Sequence, residues 1–215
     1  MDAPISSRPL QNRVDPFGSL SAVPERGTLL GNRGVLHNEK KQIVAHWDRR
    51  AWITCLLSFK GRKRQVFSFG NYSELFFLDE ATAFAAGHRP CGECRRTRYK
   101  EFKSAWVLAN RNLVCSSDPP MGEIDRVLHA QRIHADDTKV TFETPFGELP
   151  AGTFVELGGR PYLLWHGHLL LWSFSGYEIS RERPSEADLV RVLTPVSIVE
   201  TFKRGFRPSA HISDA

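Results

Sequence analysis

Residues 79–96, which read DEATAFAAGHRPCGECRR, constrain the fold more than any other part of the chain. Asp79 is a good N-cap for a short helix, and Gly87 supplies a stop at the C-terminal end of that helix. Cys91 and Cys94 follow in a tight turn, after which a second helix is predicted. Because the spacing Cys-x-x-Cys directs two thiols toward one point, this segment predicts a metal-binding knuckle held between helices.

The cysteine count favours a reducing compartment. Four cysteines in 215 residues are too few for the usual secreted disulfide framework. The first residues lack the charged and apolar regions of a signal peptide, and the longest apolar stretches have the length of a strand. We therefore expect a cytoplasmic protein that does not interact with a membrane. In that compartment, paired cysteines more often bind metal or carry out redox chemistry.

The pair Cys91 and Cys94 has three interpretations. Zinc binding is favoured, because a helix N-terminus and nearby arginines both stabilise thiolates. A redox dithiol would normally follow directly after a strand, and two unrelated thiols are the third alternative. Cys55 is the first choice for a third Zn²⁺ ligand; the alternative is that Cys55 packs in the core as a small hydrophobic residue. The candidates for a fourth ligand are His88, Cys115 and His46.

The hydrophobic pattern predicts an α+β fold. We expect a small zinc-knuckle module, made of a β-meander and helices, followed by a β-rich domain with short helices. The predicted organisation is an extended lead-in over residues 1–39, the module over 40–112 and the β-rich domain over 121–208.

Individual elements follow from the same pattern and from turn residues. The meander has three strands. In the second domain, two glycine-containing turns each connect the two strands of a hairpin. The residues after about 206 are expected to fray. The predicted meander strands are 52–59, 65–69 and 74–78, the hairpin turns are 158–159 and 166–167, and the last two helices are 187–192 and 196–203.

The lead-in contains a glycine-rich run. Residues 26–34 read RGTLLGNRG, which lacks the Lys-Ser/Thr of a phosphate-binding loop. A turn-rich connection is the simpler interpretation. The alternative is a functional loop that uses Asn32, Arg33 and His37.

Basic residues form two clusters. One lies in the predicted turn after the first meander strand, and the other lies in the knuckle and the helix that follows it. The net charge of +5 and the isoelectric point near 9.2 also favour anionic partners. If the two clusters share a face, they would contact nucleic-acid phosphates; the alternative is a solvated basic surface. The candidate nucleic-acid-binding residues are Arg62, Lys63, Arg64, Arg89, Arg95, Arg96 and Arg98.

Asp125 and His129 are four residues apart in a predicted helix and therefore share one of its faces. Such a pair could bind a metal ion, or act as base and orienting group in hydrolysis. We keep them as candidate catalytic residues of a metal-dependent nuclease, beside the simpler interpretation of an ordinary helix pair.

Residues 76–96 resemble the second half of the zinc module of Ada-type DNA alkylation-repair proteins. That module also has an Ala-rich helix, then Gly, an aromatic residue and Arg-Pro-Cys-x-x-Cys-Arg; His88 takes the place of the aromatic residue. Residues 52–55, Trp-Ile-Thr-Cys, are similar to the family strand that carries its first cysteine. The family has another cysteine four residues later, where this chain has Phe59.

The resemblance covers residues 50–100, about a quarter of the chain. It implies that Cys55 is a Zn²⁺ ligand and an alkyl acceptor, because the first cysteine of the family takes a methyl group from a DNA methylphosphotriester while bound to zinc. The whole chain is also similar to a group of bacterial proteins that share the Gly-Asn-Arg-Gly and Arg-Pro-Cys-x-x-Cys-Arg-Arg elements. That second likeness implies no function.

The sequence as a whole predicts a zinc-stabilised protein that binds nucleic acid, DNA in the first place, with a link to DNA damage or modification. An enzyme acting on nucleic acid is the alternative, either a nuclease that uses Asp125 and His129 or an alkyl acceptor at Cys55. An interaction module with structural zinc is a third hypothesis.

Overall fold

The computed structural model describes residues 8–62 and 65–212. Over these ranges the chain is an α+β protein with two six-stranded sheets and four helices, which confirms the predicted fold class. The first sheet contains β1 (Arg13–Val14), β2 (Leu20–Ser21), β3 (Leu29–Asn32), β4 (Ile53–Leu56), β5 (Leu75–Phe77) and β6 (Arg89–Pro90). The second contains β7 (Phe142–Pro145), β8 (Phe154–Leu157), β9 (Arg160–Trp165), β10 (His168–Ser173), β11 (Gly176–Ile179) and β12 (Leu189–Val192). The helices are α1 (Glu80–Ala85), α2 (Arg96–Ala109), α3 (Met121–Ala130) and α4 (Val196–Lys203).

The first sheet is not the predicted meander. Its strand order is β2-β1-β5-β3-β4-β6, so β3 from the lead-in, and not the predicted strand 65–69, lies between β4 and β5. Leu30 on β3 pairs with Cys55 on one side and with Phe76 on the other. Residues 65–69 form turns rather than a strand. The lead-in contributes β1, β2 and β3, which are too short, at two to four residues each, to show a clear alternation in the sequence.

The second sheet is antiparallel throughout, with the order β11-β10-β9-β8-β12-β7. Both predicted hairpin turns are present: β8 and β9 are joined at 158–159, and β9 and β10 at 166–167. All four turn residues have positive φ, as a type I′ turn requires. The predicted helix over 187–192 is wrong, since Leu189–Val192 is strand β12. Its Leu-Val-Arg-Val alternation buries both valines in the sheet, and this favours a strand over a helix.

Helix α1 forms the centre of the molecule, and all six of its residues are buried. As predicted, Asp79 caps it, accepting a hydrogen bond from the Thr82 amide at 2.8 Å. One side of the helix packs on the first sheet, another on the second, and Phe84 packs on the remaining helices. Alanine recurs along α1 because a helix surrounded on every side leaves little room for larger side chains.

The other three helices form one aromatic core with Phe84. Helix α2 supplies Phe102 and Trp106, which are fully buried, and α3 and α4 supply aliphatic and aromatic partners. Leu108 is exposed, whereas Val107 is buried. A step of two residues from Trp106 turns the helix by about 200°, away from the core.

Residues 206–212 pack against the structure, contrary to the expected fraying. Phe206 joins the aromatic core, and Ile212 packs beside the second sheet. The Ser209 amide donates a hydrogen bond to Glu80 at 3.0 Å, and the His211 amide donates one to Asp79 at 2.9 Å. This segment therefore closes over the N-terminal end of α1.

Candidate metal centre

The first sheet brings Cys55 beside the knuckle. Strands β4 and β6 run parallel, and Thr54 is paired with Pro90 in their register. The next residue along each strand is a cysteine, Cys55 on one and Cys91 on the other. The Cys91 amide extends the ladder by donating a hydrogen bond to the Thr54 carbonyl at 2.9 Å. Strand pairing between distant segments therefore places these two thiols side by side.

The turn after β6 adds the third sulfur. The Sγ atoms of Cys55, Cys91 and Cys94 all lie within 4.8 Å of one another. Zn–S bonds of about 2.3 Å at tetrahedral angles would separate two sulfurs by about 3.8 Å, so small side-chain rotations suffice to bring the three onto one ion. The triad that the sequence proposed is thus assembled, and it could bind a metal ion.

Without metal, the three thiols share their protons unevenly. A hydrogen bond from Cys55 lowers the pKa of Cys91, and the amides of Glu93 and Cys94 add to this effect. The same hydrogen bond, together with burial, raises the pKa of Cys55, and burial raises that of Cys94. The metal-free cluster therefore favours one thiolate, at Cys91, between two protonated neighbours.

None of the three candidates for a fourth ligand joins the triad. His88 is fully buried elsewhere, where its Nε2 accepts a hydrogen bond from Arg33 at 3.2 Å. His46 lies on the rim of a different cavity, and Cys115 is exposed in the connection before α3. Over the described ranges, no fourth Cys, His, Asp or Glu ligand atom lies within 4.8 Å of all three sulfurs.

The open side of the triad faces a pocket of about 250 Å³. Leu30 and Phe76 continue the row that begins at Cys55 across the sheet, and they form the apolar floor. Phe59, which stands where the Ada-type module has its second cysteine, lines the same pocket. Phe59 offers no metal ligand on this side of the triad.

Glu74 also lines this pocket, although no motif in the sequence points to it. It precedes Phe76 by two residues and so points to the same face of the sheet. Its side chain is buried; one oxygen accepts a hydrogen bond from the Phe67 amide at 2.9 Å, and the other, Oε1, has no hydrogen-bond partner. This buried oxygen can accept a hydrogen bond from a group that enters the pocket.

Three of the predicted phosphate-binding arginines are engaged inside the fold. Arg89 is buried in a bidentate ion pair with Asp125, and Arg95 pairs with buried Glu80 at 2.5 Å. Arg98 pairs with the second oxygen of Glu80 at 2.7 Å. Burial alone would raise the pKa of Glu80, but the hydrogen bonds from Arg98 and the charge of Arg95 lower it overall.

The remaining members of the basic set lie at the surface or beyond the described ranges. Arg62 is exposed beside the pocket and pairs with Glu93 at 2.6 Å. Arg96 is exposed on α2 and lines a shallow groove together with Lys100 and Tyr99. Lys63 and Arg64 lie outside the described residues.

Asp125 and His129 share a face of α3 but serve different partners. Both carboxylate oxygens of Asp125 accept hydrogen bonds from Arg89 at 2.7 Å. His129 Nδ1 accepts a hydrogen bond from Arg132 at 3.0 Å. Partial burial and the charge of Arg132 lower the pKa of His129 to about 4. The pair that the nuclease hypothesis requires therefore has its carboxylate occupied by an arginine.

Comparison with known proteins returned no relative: no family model matches the chain, and neither a curated protein nor a solved structure matches it. Among the described residues, no helix combines the length and the apolar character that crossing a membrane requires.

Proposed function

We propose that Cys55, Cys91 and Cys94 bind one Zn²⁺ and that the protein accepts an alkyl group from nucleic acid at this centre. The observation that carries the proposal is the convergence of three sulfurs whose remaining side opens into a pocket. Structural zinc sites are closed by four protein ligands, whereas reactive sites keep one position open. Three thiolates form a soft donor set that suits Zn²⁺ and disfavours Mg²⁺ or Ca²⁺.

Cys55 is the acceptor in this proposal. It lies at the edge of the pocket, on the strand that resembles the one carrying the methyl-accepting cysteine of Ada-type modules. The bound ion would keep the thiols deprotonated at neutral pH. The Cys55 sulfur would attack the methyl carbon of a phosphotriester, so that an S–C bond forms and a C–O bond breaks. The phosphodiester oxygen leaves with the electron pair, which restores an ordinary backbone phosphate.

The pocket and its rim support nucleic acid as the source of that alkyl group. The floor contributed by Leu30 and Phe76 suits an uncharged methyl ester. Arg62 stands at the rim, and Arg96 is exposed on the neighbouring helix, where each could contact a flanking phosphate. Contacts of this kind give affinity without sequence readout, which fits a reaction on a damaged backbone.

The test uses the full-length, zinc-loaded protein and DNA that carries methylphosphotriesters. We expect about one zinc per chain, and a mass gain of one methyl group that peptide mapping places on Cys55. Cys55→Ser should lose the mass gain. Cys115→Ser, which removes an exposed cysteine outside the triad, should retain both the zinc and the mass gain.

Two results would contradict the proposal at different points. If the purified protein contains no zinc, the proposed metal centre does not exist. A zinc-loaded protein that gains no mass but retains DNA in a salt-sensitive manner would favour the second candidate, a nucleic-acid-binding protein with structural zinc. The groove that contains Arg96, Lys100 and Tyr99 is the observation in favour of that candidate, since it offers two cations and an aromatic ring.

A further inference from the structure

A second cavity, of about 530 Å³, lies away from the cysteine triad. It is enclosed by the β1–β2 hairpin, the loop after β3 and the turn after α3. Three cationic side chains, Arg33, Arg132 and Lys139, line it together with the indole of Trp52. We refer to these four residues and the space between them as the cation cavity. None of them takes part in the proposed alkyl transfer.

Arg33 is the most deeply buried of the three cations, with 1% of its surface exposed. It donates hydrogen bonds to the Gly18 carbonyl at 2.9 Å and to His88 Nε2 at 3.2 Å, and its guanidinium stacks on Trp52 with 4.0 Å to the ring centroid. Its Nη2 atom is buried with an unused donor. This is the arginine of the Gly-Asn-Arg-Gly run; of the three residues in the functional-loop hypothesis, Arg33 lines this cavity, whereas Asn32 and His37 do not.

Arg132, about a hundred residues further along the chain, makes the same kinds of contact as Arg33. It donates to the carbonyls of Gly87 at 2.9 Å and Arg50 at 2.5 Å, and it also stacks on Trp52 at 4.0 Å. Its Nε atom is buried without a partner. The Nζ of Lys139 donates to the Ala85 carbonyl. The acceptors of all three cations, His88 and His129 included, are thus uncharged groups.

Three carboxylates lie near these cations, and one of them, Asp125, acts on Arg132 but is already paired with Arg89. Asp15 is partly buried nearby, where its charge acts on Arg33 and on Lys139. Asp137 lies at the exposed mouth, where it accepts a hydrogen bond from Trp47 at 3.0 Å. Taking cations out of water without partners is costly, and mutual repulsion adds to the cost.

The pKa values of the three cations reflect this imbalance. Burial and then the charge of Arg33 lower the pKa of Lys139 to about 7. Burial lowers that of Arg33 to about 9, despite the opposing effect of Asp15. Burial and Arg33 together lower the pKa of Arg132 well below its usual range. A bound anion would oppose all three shifts, because it favours the charged form of each group.

We propose that the cation cavity binds a phosphate dianion, either inorganic phosphate or the phosphate group of a monoester. Two guanidinium groups with unused donors can form charge-assisted hydrogen bonds to several phosphate oxygens, and an ammonium adds a third contact. Several donors converging on one site match a tetrahedral oxyanion, which accepts hydrogen bonds at several oxygens, better than a chloride ion. The volume exceeds that of free phosphate and falls in the range of small-molecule sites, so it leaves room for the organic part of a monoester.

Thermal unfolding of the full-length protein tests the proposal. Inorganic phosphate at about one hundred times its Kd should raise the Tm by roughly 5–10 °C relative to chloride of equal ionic strength. Lys139→Met should lose most of this shift, and it should unfold in phosphate-free buffer within about 3 °C of the wild type because it removes an uncompensated cation. Lys203→Met, which removes an exposed lysine on α4, should retain the full shift.

The outcome does not depend on one variant. If Lys139→Met fails to fold, Lys139→Gln keeps a donor for the Ala85 carbonyl and carries the same expectation. A nucleoside 5′-monophosphate that binds more tightly than phosphate would assign the site to monoesters, and equal affinity would assign it to the free anion. The proposal is overturned if phosphate shifts the wild-type Tm no more than chloride does, or if both Lys139 variants keep the full shift.

Discussion

The buried ion pair between Arg89 and Asp125 allows a sharp test of how α3 is attached to the metal centre. The two side chains are 8% and 7% exposed, and both of their hydrogen bonds measure 2.7 Å. Arg89 belongs to β6, two residues before Cys91, so the pair anchors the strand that leads into the knuckle. Asp125→Ala would leave the guanidinium buried without its counter-charge.

Removing one partner of such a pair costs about 3–5 kcal/mol, because the remaining charge stays desolvated. For a chain of this length, that loss corresponds to a Tm lower by roughly 6–20 °C. Urea unfolding of the zinc-loaded protein gives the free energy of unfolding directly. The double variant Arg89→Met/Asp125→Leu should recover most of the loss, since apolar residues of similar volume often replace a buried pair at little net cost.

Glu200→Gln is the matched control, because it breaks the exposed Lys203–Glu200 pair and should cost less than about 1 kcal/mol. The reasoning fails if Asp125→Ala is as stable as this control, or if the double variant is as unstable as the single one. The experiment also bears on the nuclease hypothesis. A metal-dependent cleavage activity that disappears in Asp125→Ala while stability is unchanged would give Asp125 a chemical role instead of a structural one.

Three further predictions concern α1 and its surroundings. Because the folded-state pKa of Glu80 is lowered, its ion pairs stabilise the protein above the unfolded pKa of about 4.3, and this contribution is lost as pH falls through the folded value; urea unfolding at pH 7 and pH 4 should show a smaller difference for Glu80→Gln than for the wild type. Gly87→Ala should cost more than about 1 kcal/mol in the same assay, because residue 87 has φ +80° and an added Cβ would lie 2.5 Å from the Arg132 side chain. Tyr177→Phe should cost about 1–3 kcal/mol, since it removes the 2.7 Å hydrogen bond to buried Asp79; a loss below about 0.5 kcal/mol would show that water replaces the hydroxyl.

The parts of the fold that could be predicted from the sequence depend on local signals. The Asp79 cap, the Gly87 stop and the paired positive-φ turn residues of the second sheet each act within a few residues. The order of the first sheet could not be predicted in this way, because it depends on contacts between distant segments. Strand β3 enters between β4 and β5 from a stretch whose composition indicates only turns.

The candidate sites, too, could be predicted where a local motif marks them and could not where they depend on contacts between distant segments. Cys91 and Cys94 are evident from their spacing; Cys55 was the first choice for a third ligand, and the resemblance supported it, but no spacing rule ties it to the other two. Glu74 was missed, since a single acidic residue before an apolar strand carries no motif. The buried arginines were assigned to a surface patch because charge is normally solvated, and the sequence does not show which arginines meet Glu80 or Asp125 inside the protein.

The closure of residues 209–212 over α1 has a consequence for how the protein is made. The amides of Ser209 and His211 reach carboxylates 129 and 132 residues upstream, so α1 is fully held only after the second sheet and this segment have left the ribosome. The cysteine turn, which follows α1 directly, is synthesised more than a hundred residues earlier. At 5–20 residues per second, its thiols would spend roughly 5–25 s on an incomplete chain. A nascent chain would therefore expose its cysteines to oxidation for this interval, before residues 209–212 can close over α1.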